Sequence, residues 1–215
     1  WVVDPGYKLV GIDASGLELR MLAHYMEDEE YTKEVVDGDI HTKNQLAAGL
    51  DTRAKAKTFI YAFLYGAGAK KIGSITGTNG TVIIDKFMKN VPALAKLKEK
   101  IAVNLRNKGS LPGLDGRRLF IRSEHAALNT LLQGAGAVVM KKALVIFDNY
   151  IKLHELDAHF VANVHDEWQL EVKEEEAKLV GQLGVKAIIE AGKALRLNCP
   201  LDGEYKVGDN WKQTH

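Results

Sequence analysis

Apolar and polar positions along the 215 residues fall into a few short β-branched runs and several longer helical periods. Residues 8–13 form an apolar run ending in Asp-Ala-Ser-Gly, which predicts a strand running into a turn or helix start. Leu17, Leu19, Met21 and Leu22 carry apolar character into a helix. Residues 30–38 predict a second helix, stopped by Gly38, and Asp39 can cap a third that carries His41, Asn44 and Gln45. The stretch TRAKAKTFIYAFLY at 52–65 holds neither Gly nor Pro and ends at Gly66 and Gly68, a helix with a C-terminal stop. Between Gly73 and Pro112 the pattern predicts a Gly- and Thr-rich loop, a helix at 82–89, and another at 93–106 that opens after Pro92. GLDG at 113–116 reads as a turn, 118–122 as a strand and 126–150 as a long helix. Two apolar runs, 160–164 and 168–172, flank His165, Asp166 and Glu167, the pattern of a β-hairpin with polar residues at its bend. An amphipathic helix over 179–195 follows, and no internal repeat or low-complexity tract is present.

Composition narrows the class. Hydrophobic residues make up 46% and charged residues 27%, enough for one large domain or two interdependent subdomains. A disulfide miniprotein and a mainly disordered chain are both excluded. The lone Cys199 cannot pair within the chain, which fits a reducing compartment. The longest stretch without formal charge, 125–140, is broken by Asn129, Gln133 and two glycines, so no membrane span is expected. Lys plus Arg is 29 against 28 for Asp plus Glu, and this net charge of +1 makes no case for an anionic partner. Placement says more: bases gather at Arg53, Lys55 and Lys57, at Lys70 and Lys71, and at Arg117, Arg118 and Arg122, although most such runs are solvated faces. The chain opens at Trp1 with neither an initiator Met nor a signal pattern, so it is expected to be a piece of something longer.

Two places carry acid where folding alone does not ask for it: Asp13 directly after a strand, and Asp166 with Glu167 between two strands. Carboxylates brought together at strand ends repel one another unless a cation compensates, and hard oxygen ligands suit Mg²⁺. Two such ions roughly 3.5–4 Å apart can activate an attacking oxygen and stabilise a leaving one. An Asp at a strand end is also a common turn former or helix cap, and spacing leaves both readings open.

Arg53, Lys57, Tyr61 and Tyr65 recur every fourth position, a slowly drifting stripe on one helical face. Its first half offers a guanidinium fork and an ammonium, suited to polyphosphate; its second half offers rings on which a sugar or base can pack. A nucleoside triphosphate has the same polarity end to end, whereas an ordinary amphipathic helix would expose the bases and bury the tyrosines. His41 is either a further phosphate donor or a structural histidine. His125, Asn129 and Gln133 repeat the four-residue spacing amid Ala and Leu. Such donors can test base-pair geometry from the minor groove, or they can form a buried polar network.

The stretches GIDASGLELR (11–20), RAKAKTFIYAFLYGAG (53–68) and NVHDEWQLEV (163–172) resemble, in order and spacing, the three polymerase motifs of family A DNA polymerases, the polymerase I group. GDIHT (38–42), GLDGRR (113–118) and HAALNTLLQGAGA (125–137) resemble further segments of that family, and the phrasing is most similar to phage replicative polymerases. The resemblance implies an α+β fold: a polymerase palm, an antiparallel sheet with helices, from 1–26 and 119–215, with mainly helical fingers inserted at 27–118. It implies that Asp13 and Asp166, helped by the carbonyl of Ala14, hold two Mg²⁺ ions, with Glu167 in support. Arg53, Lys57 and His41 would bind the triphosphate, with Lys57 a proton donor to departing pyrophosphate. Tyr65 would border the templating pair, and His125, Asn129 and Gln133 would contact the minor groove. His125 stands where many relatives carry Arg. Glu18 resembles the steric gate against ribonucleotides, acting alone or through Tyr65. Tyr61 resembles the position that decides dideoxynucleotide acceptance.

The implied activity is that of a DNA-directed DNA polymerase, a nucleotidyltransferase, with primer–template DNA and deoxynucleoside triphosphates as partners. Family members carry a thumb, and usually an exonuclease or exonuclease-like domain, ahead of the first motif. Here that motif begins at Gly11, so a further N-terminal portion or subunit is expected. A noncatalytic or split fragment that binds DNA or joins a partner supplying the thumb is the alternative, and a single-subunit RNA polymerase is disfavoured by Glu18. The implied location is the cytoplasm, that of a bacterial host if the protein is phage-encoded.

Overall fold

β-branched and apolar residues at Leu9, Val10 and Ile12 make Tyr7–Ala14 a strand, β1, and all three are fully buried. In the computed structural model, which describes residues 2–215, the chain divides into two compact units. One comprises residues up to Glu18 together with 136–215, and the other is 19–135.

The first unit is built on an antiparallel sheet. Ala158–Val164 (β4) and Glu167–Lys173 (β5) form a hairpin, β5 pairs with β1, and Gly203–Gly208 (β6) covers the other edge of β1, giving the order β4-β5-β1-β6. Two helices supply its apolar cover. The long α8, Ala127–Leu153, places Phe147 against Trp168 with ring centres 5.4 Å apart, and against Phe160 at 5.6 Å. Helix α9, Ala177–Ala194, lies against β1 and β6. Its approach depends on Gly184, where an added Cβ would collide with Cδ1 of Ile12 and sit 3.2 Å from Phe147.

The second unit is mainly helical. Helix α1, Leu17–Met26, crosses its N-terminal boundary; α2 (Glu29–Val36), α3 (Ile40–Ala48), α4 (Arg53–Leu64), α5 (Ala69–Thr76), α6 (Gly80–Asn90) and α7 (Pro92–Lys108) follow. The starts are chemically marked: Asp28, Asp39, Thr52 and Asn79 each accept a first-turn amide at the head of α2, α3, α4 and α6. Phe59 and Phe63 of α4 meet Phe87 of α6 edge-on at 5.1 and 5.7 Å, which fixes α4 in the unit's core. A short hairpin of β2 (Ser110–Pro112) and β3 (Arg118–Phe120) leads into α8.

Several elements differ from the sequence expectation. Residues 69–76 are helical, where a Gly- and Thr-rich loop is predicted from Gly73 onward. Glu167 is not at the hairpin bend: it pairs with Val164 as the first residue of β5 and is buried, leaving His165 and Asp166 as a two-residue turn. The strand β6 and a C-terminal turn of helix, α10 (Trp211–Thr214), have no counterpart in the sequence reading. The stretch Glu124–Leu153 is long and apolar enough, by length and composition alone, to cross a membrane. Its Val139, Ala143 and Phe147 are fully buried within the protein.

Candidate active site

Side-chain alternation decides what the first unit gathers at one end of its sheet. Asp13 lies opposite Glu167 on β5 and Glu204 on β6, so three carboxylates share a face. The hairpin turn brings a fourth: the Asp166 carbonyl accepts from the Ala14 amide at 3.1 Å, tying the turn to the end of β1. His165, at φ +55°, takes a left-handed conformation that favours glycine, and this tight turn holds Asp166 at the tip.

The electrostatics follow from that crowding. Partial burial, then repulsion from Asp166, Glu167 and Glu204, pushes Asp13 up from 3.8 to about 6, while His215 acts the other way. Asp13 still reaches solvent, because the face is open where the strands end. Burial also raises Asp166, against a lowering hydrogen bond from its own backbone, and Glu18 adds repulsion. Glu18 therefore stands within electrostatic reach of Asp166. Glu167 is differently placed: Oε2 bonds His215 Nδ1 at 2.7 Å and Oε1 accepts from Gln169, whose Oε1 takes the Thr214 hydroxyl at 2.8 Å. Both of its oxygens are thus occupied by protein. A cavity of about 170 Å³ opens between Asp13, Glu167, Glu204, Lys206 and His215.

Among the described residues no three His, Cys, Asp or Glu side chains are arranged as a ready-made metal cage. Mg²⁺ does not need one, since it takes one or two carboxylates and completes its octahedron with water and phosphate oxygens. Asp13 and Asp166 fit that demand: two carboxylates, partly stripped of water and repelling each other, whose ionised forms a hard cation would favour.

The second unit gathers the bases and rings. His41, in the first turn of α3, faces the α4 stripe: burial lowers its proton affinity first, then the charges of Arg53 and Lys57, and its ring lies 6.2 Å from that of Tyr61. Arg53 and Lys57 are exposed, Tyr61 is half-buried, and the His41 Nδ1 atom is buried without a hydrogen-bond partner among the described residues. Tyr65 caps the end of α4, and its hydroxyl accepts from Gln133 Nε2 at 3.3 Å. The His125 carbonyl lies where a Cβ on Gly66 would meet it at 2.8 Å, so the turn after α4 packs against the start of the α8 segment. Asn129, half-exposed, stands one turn before Gln133. His125, Gly66 and Gly68 also line a cavity of about 610 Å³ with Phe63 and Lys98.

Thus Asp13, Asp166, Glu167 and Glu18 come together in one unit, and His41, Arg53, Lys57 and Tyr61 in the other, with Tyr65 joined to Gln133. Sequence reasoning missed Glu204, His215 and Gln169 around Asp13. The alternation Glu204, Lys206, Gly208 was the available signal, but its partner strand lies about 190 residues earlier.

The architecture is that of a polymerase domain. It superposes with a TM-score of 0.87 on the POL domain of Pol1 from M. smegmatis, solved in complex with DNA primer-template and dNTP, at 25% identity over 99% of this chain and 41% of that one. The family model for DNA polymerase family A matches residues 1–213, and the chain belongs to that family. It is 44% identical to the DNA-directed DNA polymerases of Enterobacteria phage T3 and Escherichia phage T7, over 95% of this chain and 33% of each relative. It is 30% identical to DNA polymerase I of Pseudomonas aeruginosa, over 100% of this chain and 26% of that protein. The chain therefore spans about a third of the length of the phage relatives it matches.

Proposed function

We propose that this chain carries the palm and fingers of a DNA-directed DNA polymerase, which adds deoxynucleotides to a primer 3′-hydroxyl. The palm is assigned to 1–26 and 119–215 and the fingers to 27–118. The observation that carries this reading is the convergence of Asp13 and Asp166, joined through the Ala14 amide and both raised in proton affinity. Asp13, Asp166 and the Ala14 carbonyl would hold two Mg²⁺ ions. When bound, magnesium lowers the proton affinity of the attacking hydroxyl and neutralises charge on the departing phosphates.

The chain's own residues do the rest by positioning. Arg53 and His41 bind the outer phosphates, and Tyr61 packs on the sugar. The 3′-hydroxyl gives its proton to solvent as its oxygen bonds to the α-phosphorus, the bond from that phosphorus to the bridging oxygen breaks, and Lys57 gives a proton to the leaving pyrophosphate. Tyr65 borders the templating pair, and His125, Asn129 and Gln133 contact the minor groove of primer and template. Glu18, within reach of Asp166, closes the space a 2′-hydroxyl would need. Grip on the duplex and any proofreading are assigned to a thumb and exonuclease portion, in line with the share of the phage relatives that this chain leaves uncovered.

Primer extension with Mg²⁺ at low salt, in the full-length protein or with candidate N-terminal fragments added, tests the reading. Wild type extends with deoxynucleotides, and Asp13→Ala and Asp166→Ala do not. Extension that survives loss of either aspartate removes the assignment.

A further inference from the structure

Arg53 and His41 reach the proposed triphosphate site from different helices, and one carboxylate touches the anchor of each. Asp39 Oδ1 accepts from the backbone amides of His41 and Thr42 at 3.2 and 3.3 Å, fixing the first turn of α3. Its Oδ2 accepts from Arg53 Nε and from the Thr42 hydroxyl, both at 2.7 Å. Bonds to Arg53 first, and then to Thr42, hold the Asp39 carboxyl well below the usual carboxylate range. A guanidinium has two donor edges. Engaging Nε fixes its plane and leaves the terminal nitrogens for a phosphate.

Stability gives no sufficient account of this pair, since both side chains are about half exposed, at 45% and 55%, and such ion pairs contribute little to folding. Asp39 also lies opposite in sign to its surroundings: His41 feels the positive charge of both Arg53 and Lys57, with Asp39 as the opposing carboxylate.

Resting on the triphosphate reading above, we propose that Asp39 is a positioning residue: it sets the α3 turn carrying His41 and the plane of Arg53 together, so that both meet the same polyphosphate. The fold thereby couples two nucleotide contacts that lie 12 residues apart in sequence through a single carboxylate.

Steady-state primer extension by the full-length protein tests this, with KM for the deoxynucleotide separated from kcat and with thermal unfolding measured in parallel. Asp39→Asn and Asp39→Ser keep an acceptor for the α3 amides but lose the contact to Arg53. Each should raise KM about tenfold, leaving kcat within about twofold and the melting temperature unchanged. In an Arg53→Ala background, Asp39→Asn should add less than about twofold. A lowered KM in Asp39→Asn would show that the carboxylate competes with phosphate, and would overturn the proposal. So would Asp39 variants that leave KM unchanged while Arg53→Ala raises it, in which case the triphosphate assignment stands. If Arg53→Ala itself leaves KM unchanged, both fall.

Discussion

Replacing Asp13 by Asn should stabilise the protein at neutral pH. The carboxyl is raised from 3.8 to about 6, so the fold prefers it protonated. Below pH 3.8 it is protonated folded and unfolded alike and costs nothing; as pH rises through 6 the folded state must ionise it against Asp166, Glu167 and Glu204, and stability falls. Each tenfold change in proton affinity is worth about 1.4 kcal/mol, which gives about 3 kcal/mol for the full shift. Solvent reaches Asp13, and screening reduces this to about 1–2 kcal/mol. For a chain of this size that corresponds to a rise of about 2–8 °C in Tm. Urea and thermal unfolding of wild type and Asp13→Asn, free of divalent ions at pH 7.5 and pH 4, should show the gain at the higher pH and little at the lower. Added Mg²⁺ should raise the Tm of wild type at pH 7.5 more than that of the variant. An Asn protein less stable than wild type at pH 7.5, or a gain equal at both pH values, would refute the reasoning.

Other substitutions probe the scaffold and the substrate. Phe147→Ala removes a fully buried ring stacked on Trp168 and should cost about 3–5 kcal/mol in urea unfolding; a loss under about 1 kcal/mol would mean that the sheet does not depend on it. His165→Gly should be more stable than His165→Ala by about 1 kcal/mol, because φ is +55° there, and the reverse order would contradict the turn geometry. Glu18→Ala should raise ribonucleotide incorporation, and unchanged sugar selectivity rejects the gate. Tyr61→Phe should increase discrimination against dideoxynucleotides, an expectation that equal termination by both proteins would refute.

Much of the fold was legible because local signals agreed with it. Helix α4 is an unbroken run of helix formers between Thr52 and Gly66, and β1 is a β-branched run, so propensity and burial point the same way. The pairing of Asp13 with Asp166 was implied by the resemblance to family A polymerases, because spacing alone left each acid open to a turn-forming role. What escaped was set by partners distant in sequence. Gly203–Gly208 is a strand because β1 offers it an edge, and Glu167 belongs to β5 because Val164 pairs with it across a two-residue turn. Asp39 was readable as a cap from its place before α3, but its bond to Arg53 depends on how α3 and α4 pack, which spacing does not encode. Helix α5 was hidden by its own composition: Gly73 and Thr76 lower helix propensity, yet buried Ile72 and the Gly77 stop hold the segment helical.

The central strand of the sheet is made long before the strands on either side of it. Between Ala14 and Glu167 lie about 150 residues, so a ribosome elongating at about 5–20 residues per second needs roughly 8–30 s to deliver β5 after β1 has left the exit tunnel, and longer for β6. Throughout that interval Leu9, Val10 and Ile12 lack both strands that pair with β1, which leaves this apolar segment open to a chaperone while residues 19–135 fold.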